Sequence, residues 1–179
     1  LRMHSIKQIW ATEWGWSSYS GPKEMQAIIG TDGQADFTLR RLALMSGLDF
    51  DRSFLFNLAD LPAMAGPRDQ KYGLLDIDGK PKPVYHAMKN FFAVTGPRLE
   101  PRDPPEVEDM PKDLYSIAWT RADGKQLWMF WSASGRQLTL PGVDRASLHN
   151  PLTGEQRELE GEGNRLTVPL KSSLQLLVW

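Results

Sequence analysis

The chain has 179 residues, 41% of them hydrophobic, with 21 basic against 22 acidic side chains and a formal net charge of −1. That is a globular composition of one or two domains. It offers no basic stripe for a nucleic-acid partner and no apolar run near the ~20 residues that span a bilayer. There is no cysteine, which excludes disulfides and thiol chemistry. His4, His86 and His149 are too far apart to read as a ligand set, so neither a metal nor a cofactor is expected.

Leu1 to Ile6 has neither a start methionine nor the apolar core of a signal peptide. The chain then enters a strand at Lys7 to Thr12. Within it, Ile9-Trp10-Ala11-Thr12 is the nearly continuous apolar run of a buried parallel strand. It finishes on a single carboxylate, Glu13, followed at once by Trp14, Gly15, Trp16 and Tyr19. The loop lasts to about Gly33, and loops of that length in compact domains are usually functional or mobile. Aromatic faces pack on sugar rings, and a fixed carboxylate can attack an anomeric carbon. The combination points to a glycosidase, although a surface acid beside barrel-mouth packing has the same local appearance.

A helix is predicted from about Gln34 to Gly47, with Phe37, Arg41, Leu44 and Leu48 on related turns, Asp32 just ahead and Gly47 as a stop. A second strand, Ser53 to Ala59, again finishes on an acid, Asp60. The loop Ala63 to Gly73 carries Arg68, Asp69, Gln70 and Tyr72. Asp78-Gly79 marks a tight turn, and Pro83 opens a helix that runs to about Val94 and stops at Gly96-Pro97. Asn57, Asp60, Arg68 and Tyr72 are candidate substrate contacts. Strand-end hydrogen bonding for Asn57 and Asp60, and an Arg68–Asp69 ion pair within the loop, fit the pattern too.

Residues 97–113 hold five prolines and several acids and read as a linker or an extended surface wrap. Beyond them come short strands and tight turns. Leu114 to Thr120 and Gln126 to Trp131 flank the hairpin signal Asp123-Gly124. Gln137 to Leu140, Ser147 to Asn150, Glu155 to Leu159, Arg165 to Leu170 and Leu174 to Trp179 complete about seven strands of an antiparallel β-sandwich. Trp119, Trp128 and Trp131 are expected in core and barrel-facing packing rather than on a sugar-binding face.

The expected organisation is therefore α/β plus β: a β–loop–α, β–loop–α region over 1–96, a linker over 97–113 and a sandwich over 114–179. Two βα units cannot close a sheet, and a (β/α)8 barrel takes ~250 residues. The expectation is the last two βα units of a barrel whose remainder lies upstream; an open α/β domain is the alternative, at the cost of exposed strand edges.

Three segments carry a family resemblance: Ile9-Trp-Ala-Thr-Glu-Trp-Gly15, Tyr72-Gly-Leu-Leu-Asp-Ile-Asp-Gly-Lys-Pro-Lys-Pro-Val-Tyr-His-Ala87, and the trailing sandwich. Together they resemble the C-terminal portion of a retaining glycoside hydrolase of clan A, close to family 39. The resemblance implies that Glu13 is the nucleophile, at the end of barrel strand seven. It places the acid/base Glu on a complementary N-terminal part of the barrel, so that this chain alone would be inactive. It further implies an oligo- or polysaccharide substrate (a mannose-rich bacterial exopolysaccharide) and an extracytoplasmic location. Many clan A enzymes carry a stacking Trp at the end of strand eight, where this chain reads Phe54-Leu-Phe-Asn-Leu-Ala-Asp60. Stacking then falls to Trp14, Trp16 or Tyr72, with Tyr19 beside them. A non-catalytic polysaccharide-binding or matrix protein on a degenerate barrel is the reading from another class.

Overall fold

The computed structural model describes residues 8–22 and 27–179. The predicted lead-in, Lys7 of the first strand, His4 and part of the loop after Glu13 lie outside the described residues. Contacts divide the chain into two compact units, Leu1–Tyr85 and His86–Trp179.

The first unit contains β1 (Trp10–Trp14), α1 (Gly30–Gly47) and β2 (Arg52–Leu55). The two strands pair in parallel, Trp10 opposite Arg52 and Ala11 opposite Ser53, with a register shift before Trp14 meets Leu55. A parallel pair needs a crossover between its strands, and α1 supplies it. The helix starts four residues earlier than the sequence suggested, because Gly30 and Gly33 are weak helix formers that hide its first turn. Asp32 lies in that turn, where the helix dipole favours an acid. The apolar run of β1 is not buried on both faces: Ile9 and Trp10 are about half exposed, as is Phe54 beside them. The reason is the sheet itself. Among the described residues it has two strands, so each has one strand neighbour and one open edge, and no further part of a sheet extends the layer that would cover these side chains.

After β2 the chain passes through a cis Phe56–Asn57 peptide bond and a loop that includes the short 3-10 segment Asp69–Lys71. Gly79 occupies the predicted turn at φ +80°, and Asp76 Oδ1 accepts the backbone N–H groups of Asp78 and Lys80 at 2.9 and 2.8 Å. α2 (Pro83–Thr95) follows, with proline at its first position as expected. The division between the two units falls within this helix.

The second unit is a two-sheet β structure. β3 (Leu99–Arg102), β4 (Tyr115–Arg121), β5 (Gln126–Trp131), β7 (Arg145–Asn150), β8 (Glu155–Glu160) and β10 (Gln175–Val178) form an antiparallel sheet in the order β3-β4-β5-β10-β7-β8. β6 (Gln137–Pro141) and β9 (Arg165–Pro169) form a second, two-stranded sheet. Inward residues of both sheets share one core: Trp128, Phe130 and Leu177 from the large sheet meet Leu138, Leu140, Leu166 and Val168 from the small one. Trp128 and Phe130 stack with centroids 3.9 Å apart, and the buried Trp128 indole donates to Ser116 Oγ at 2.7 Å. Trp119, Trp128 and Trp131 are all buried.

The proline-rich segment is not a free linker. Leu99–Arg102 pairs along its length with β4, and Glu108 N–H donates to Thr139 O at 3.0 Å. Pro101 fits because β3 is an edge strand, where a missing donor goes unfelt. Among the described residues no helix is long and apolar enough to cross a membrane.

Candidate active-site cleft

Glu13 sits at the C-terminal end of β1, inside the irregularity where the β1–β2 register shifts, and is exposed. A bulge of this kind turns one side chain out of the regular alternation, and such bulges are common beside active sites. The chain around Glu13 is held firmly: Phe56 N–H donates to Trp14 O at 2.7 Å, and the Trp14 indole donates to Ser53 Oγ at 3.2 Å. Gly15 is required by this closeness, since a Cβ there would overlap the Phe56 carbonyl oxygen and approach Tyr72 Cδ1 to 3.1 Å.

Two adjoining depressions, of about 360 and 570 Å³, share Glu13, Trp14, Gly15, Arg68 and Tyr72 along their walls. Trp16 and Tyr19 extend the first; Phe56 and Asp69 extend the second. Six of the eight predicted site residues are thus brought together. Their characters differ. Trp14 is 6% exposed with its indole N–H satisfied, so it is mainly packing. Trp16, Tyr19 and Tyr72 are half-buried. Trp16 lies 5.2 Å from the Phe37 ring, and Tyr72 meets Phe56 edge-on at 5.6 Å. Arg68 forms the loop ion pair with Asp69, through Nε at 3.1 Å and Nη2 at 2.9 Å, while still facing both depressions.

Asn57 and Asp60 line neither depression. Asp60 is not a sugar-facing acid. Its carboxylate is buried, accepts Lys82 Nζ at 2.9 Å and Gly73 N–H at 3.0 Å, and has Lys71 Nζ at 3.4 Å. Burial pushes the Lys82 ammonium below its ordinary range, and the hydrogen bond and charge of Asp60 oppose that shift. The ion pair fixes the start of α2 to the loop that carries Tyr72. Gly73 has to be glycine there, because a Cβ would overlap Asp60 N, Ala59 C and Leu75 O. The Asn57 Oδ1 atom is buried without a hydrogen-bond partner among the described residues.

Sequence reasoning passed over Gln34, Ser17, Ser18 and Lys82. Ser17 Oγ donates to Arg68 O at 2.7 Å and Ser18 Oγ to Lys71 O at 3.1 Å, tying the loop after Glu13 to the loop before Tyr72. Gln34 does the same from α1. The serines sit in a run that looks like any polar loop, and only the loop's length marked it.

No protein-family model matches the sequence, and no characterised protein sequence matches it either. The structure does match solved glycoside hydrolases. A family 39 glycoside hydrolase from the gut symbiont Bacteroides cellulosilyticus WH2 is similar at a TM-score of 0.69 and 22% identity, covering 96% of this chain and 33% of that one. A GH30 endoxylanase from Clostridium papyrosolvens C71 gives 0.60 and 12%, covering 96% and 42%. SrfJ from Salmonella typhimurium gives 0.52 and 13%, covering 97% and 35%. At these identities the likeness is one of fold. The chain thus shares its fold with part of the glycoside hydrolases, and it spans about a third to two fifths of the length of those three structures.

Proposed function

We propose that this chain is the C-terminal part of a retaining endo-glycosidase that hydrolyses a bacterial exopolysaccharide, in the manner of the Psl exopolysaccharide endoglycosidase of biofilm operons. In this reading β1 and β2 are strands seven and eight of a (β/α)8 barrel. The open edges and half-exposed Ile9, Trp10 and Phe54 are then where the upstream strands pack. The observation that carries the reading is the position of Glu13: an exposed carboxylate at the C-terminal end of a parallel strand, facing a cleft with Trp16, Tyr19, Arg68 and Tyr72. That end of the strands is where barrel enzymes place their chemistry.

Glu13 then serves as nucleophile. Its oxygen forms a bond to the anomeric carbon while the glycosidic C–O bond breaks and an upstream Glu, ~5–5.5 Å away, protonates the leaving oxygen. Water, deprotonated by that same Glu, releases the sugar and restores both carboxyls. Trp16, Tyr19 and Tyr72 offer faces for the sugar ring, and Arg68 a fixed donor. The location proposed is extracytoplasmic.

The test is to incubate the full-length protein with a 2-deoxy-2-fluoro glycosyl fluoride and digest it for mass spectrometry. An adduct on the peptide containing Glu13, absent from Glu13→Gln, is expected. Glu13→Gln should also lower turnover by about a thousandfold or more. Saccharide binding with no adduct, and with no turnover by the wild type, would favour the matrix-protein reading.

A further inference from the structure

The geometry points to Gln34 as a positioning residue for this cleft: its side-chain amide clasps the Trp16 loop to the Tyr72 loop and sets the spacing of the walls between which a saccharide lies. The inference rests on the glycosidase reading above and adds a residue that the reading does not need.

Gln34 lies in the second turn of α1 and is 1% exposed, among the buried Ala35, Thr38 and Leu39. A leucine would be the ordinary choice at such a position. Instead the Gln34 Nε2 amide faces four backbone carbonyls: Trp16 O at 2.9 Å, Tyr72 O at 3.2 Å, and Lys71 O and Gly73 O at 3.3 Å. One acceptor belongs to the loop that follows Glu13; the other three belong to the loop that carries Tyr72. An –NH2 group has two hydrogens, so each is shared between acceptors. Four converging carbonyl oxygens accept only a donor, which fixes the orientation of the amide. Its other end bears this out: Gln34 Oε1 is buried and has no partner among the described residues. A buried acceptor without a donor is costly, and the position tolerates it to keep the –NH2 where the two loops meet.

The clasp acts on the walls of the cleft and not on the nucleophile. Glu13 is held by β1, which is locked to β2 by the Trp14 indole to Ser53 and to the residue just after β2 by Phe56 N–H to Trp14 O. Trp16 and Tyr72, in contrast, sit on irregular backbone. Besides Gln34, that backbone is joined by Ser17 and Ser18 and by the Ser18 N–H to Lys71 O bond of 2.9 Å. Loosening it should weaken substrate binding equally in the ground and transition states, which raises KM and leaves kcat nearly unchanged.

The experiment compares full-length wild type with Gln34→Met, which keeps the volume and loses the donor, and Gln34→Lys, which restores a donor of similar reach. KM for the polysaccharide should rise about tenfold in Gln34→Met with kcat within about twofold, and should recover most of the way in Gln34→Lys. Amide hydrogen exchange supplies a readout independent of turnover. Residues 16–19 and 71–73 should exchange faster in Gln34→Met, while 126–131 in β5 stay as in the wild type. Unchanged exchange at 16–19 and 71–73, or a fall in kcat at constant KM, overturns the clasp. Failure of the wild type to form a Glu13 adduct counts against the glycosidase reading, while the exchange result still decides whether Gln34 joins the loops.

Discussion

Replacing Asp60 with alanine tests whether this acid is structural. In the folded chain its carboxylate is 3% exposed and makes three contacts of unequal worth. The Lys71 arm is 3.4 Å long on a half-exposed ammonium and should contribute less than about 1 kcal/mol. The Gly73 N–H bond is an ordinary buried one, worth about 1 kcal/mol. The Lys82 contact dominates, because Asp60→Ala leaves a Lys82 side chain that is 10% exposed with the Lys71 carbonyl, 3.1 Å away, as its remaining acceptor among the described residues. Breaking one side of a buried pair typically costs about 3–5 kcal/mol, and that range is expected here. Removing both sides, as Asp60→Leu with Lys82→Met, should cost far less.

The pH dependence supplies a second check. Lys82 has a folded pKa below its ordinary 10.5, from burial first and with Asp60 opposing it. Without Asp60 it must fall further. Between that folded pKa and 10.5 the unfolded chain binds more protons than the folded one, so stability rises with pH. The deficit of Asp60→Ala relative to wild type should therefore shrink as pH is raised from neutral toward 10.5. Urea titrations of the full-length protein at the two ends of that range, followed by tryptophan fluorescence, measure both effects. A cost below about 1 kcal/mol at neutral pH, well under the range for a broken buried pair, would refute the argument. So would a deficit that does not narrow with pH.

Two further changes test the packing. Gly15→Ala should destabilise by about 1–3 kcal/mol, since the added methyl must push the Phe56 carbonyl away and strain the Phe56 N–H to Trp14 O bond; a denaturation midpoint equal to wild type would refute it. His149 is kept below its ordinary 6.5 by burial and, secondarily, by the Arg121 charge, with Glu158 opposing. The folded state is therefore penalised once pH falls under 6.5, and stability should decline through that window in wild type but hardly in His149→Gln. Parallel melting curves for the two proteins in this range would show that His149 carries no such cost.

Seven strands of the second unit were legible because they are short, several carry apolar residues at alternate positions or in a run, and turns such as Asp123-Gly124 and Pro141-Gly142 separate them. All seven expected strands are present with ends shifted by few residues. β3 was not legible. Its apolar content is low, and Pro101 argues against a strand unless the strand is known to lie at an edge, which is a property of the whole sheet. The same limit explains β1. An apolar run predicts two buried faces only when other elements cover both, and among the described residues β1 belongs to a sheet with β2 alone.

At the site, local pattern and long-range pairing have opposite visibility. Glu13 stood out because an acid closing an apolar run and followed by aromatics is a local signal, and its neighbours Trp16 and Tyr19 line the same cleft. Asp60 also closes an apolar run, five residues beyond the end of β2, but it is buried against Lys82, twenty-two residues further on. No spacing rule announces that pair, because the loop between them is irregular and its path is set by Gly73 and the Asp76 turn. Gln34 is the extreme case: in a helix it reads as a surface amide, and only the arrival of four carbonyls from two loops reveals why it is buried. An exposed acid followed by aromatics can be read from types and neighbours in sequence. A side chain that joins two loops through their backbone carbonyls, as Gln34 does, is specified by atoms that every residue possesses and no sequence pattern distinguishes.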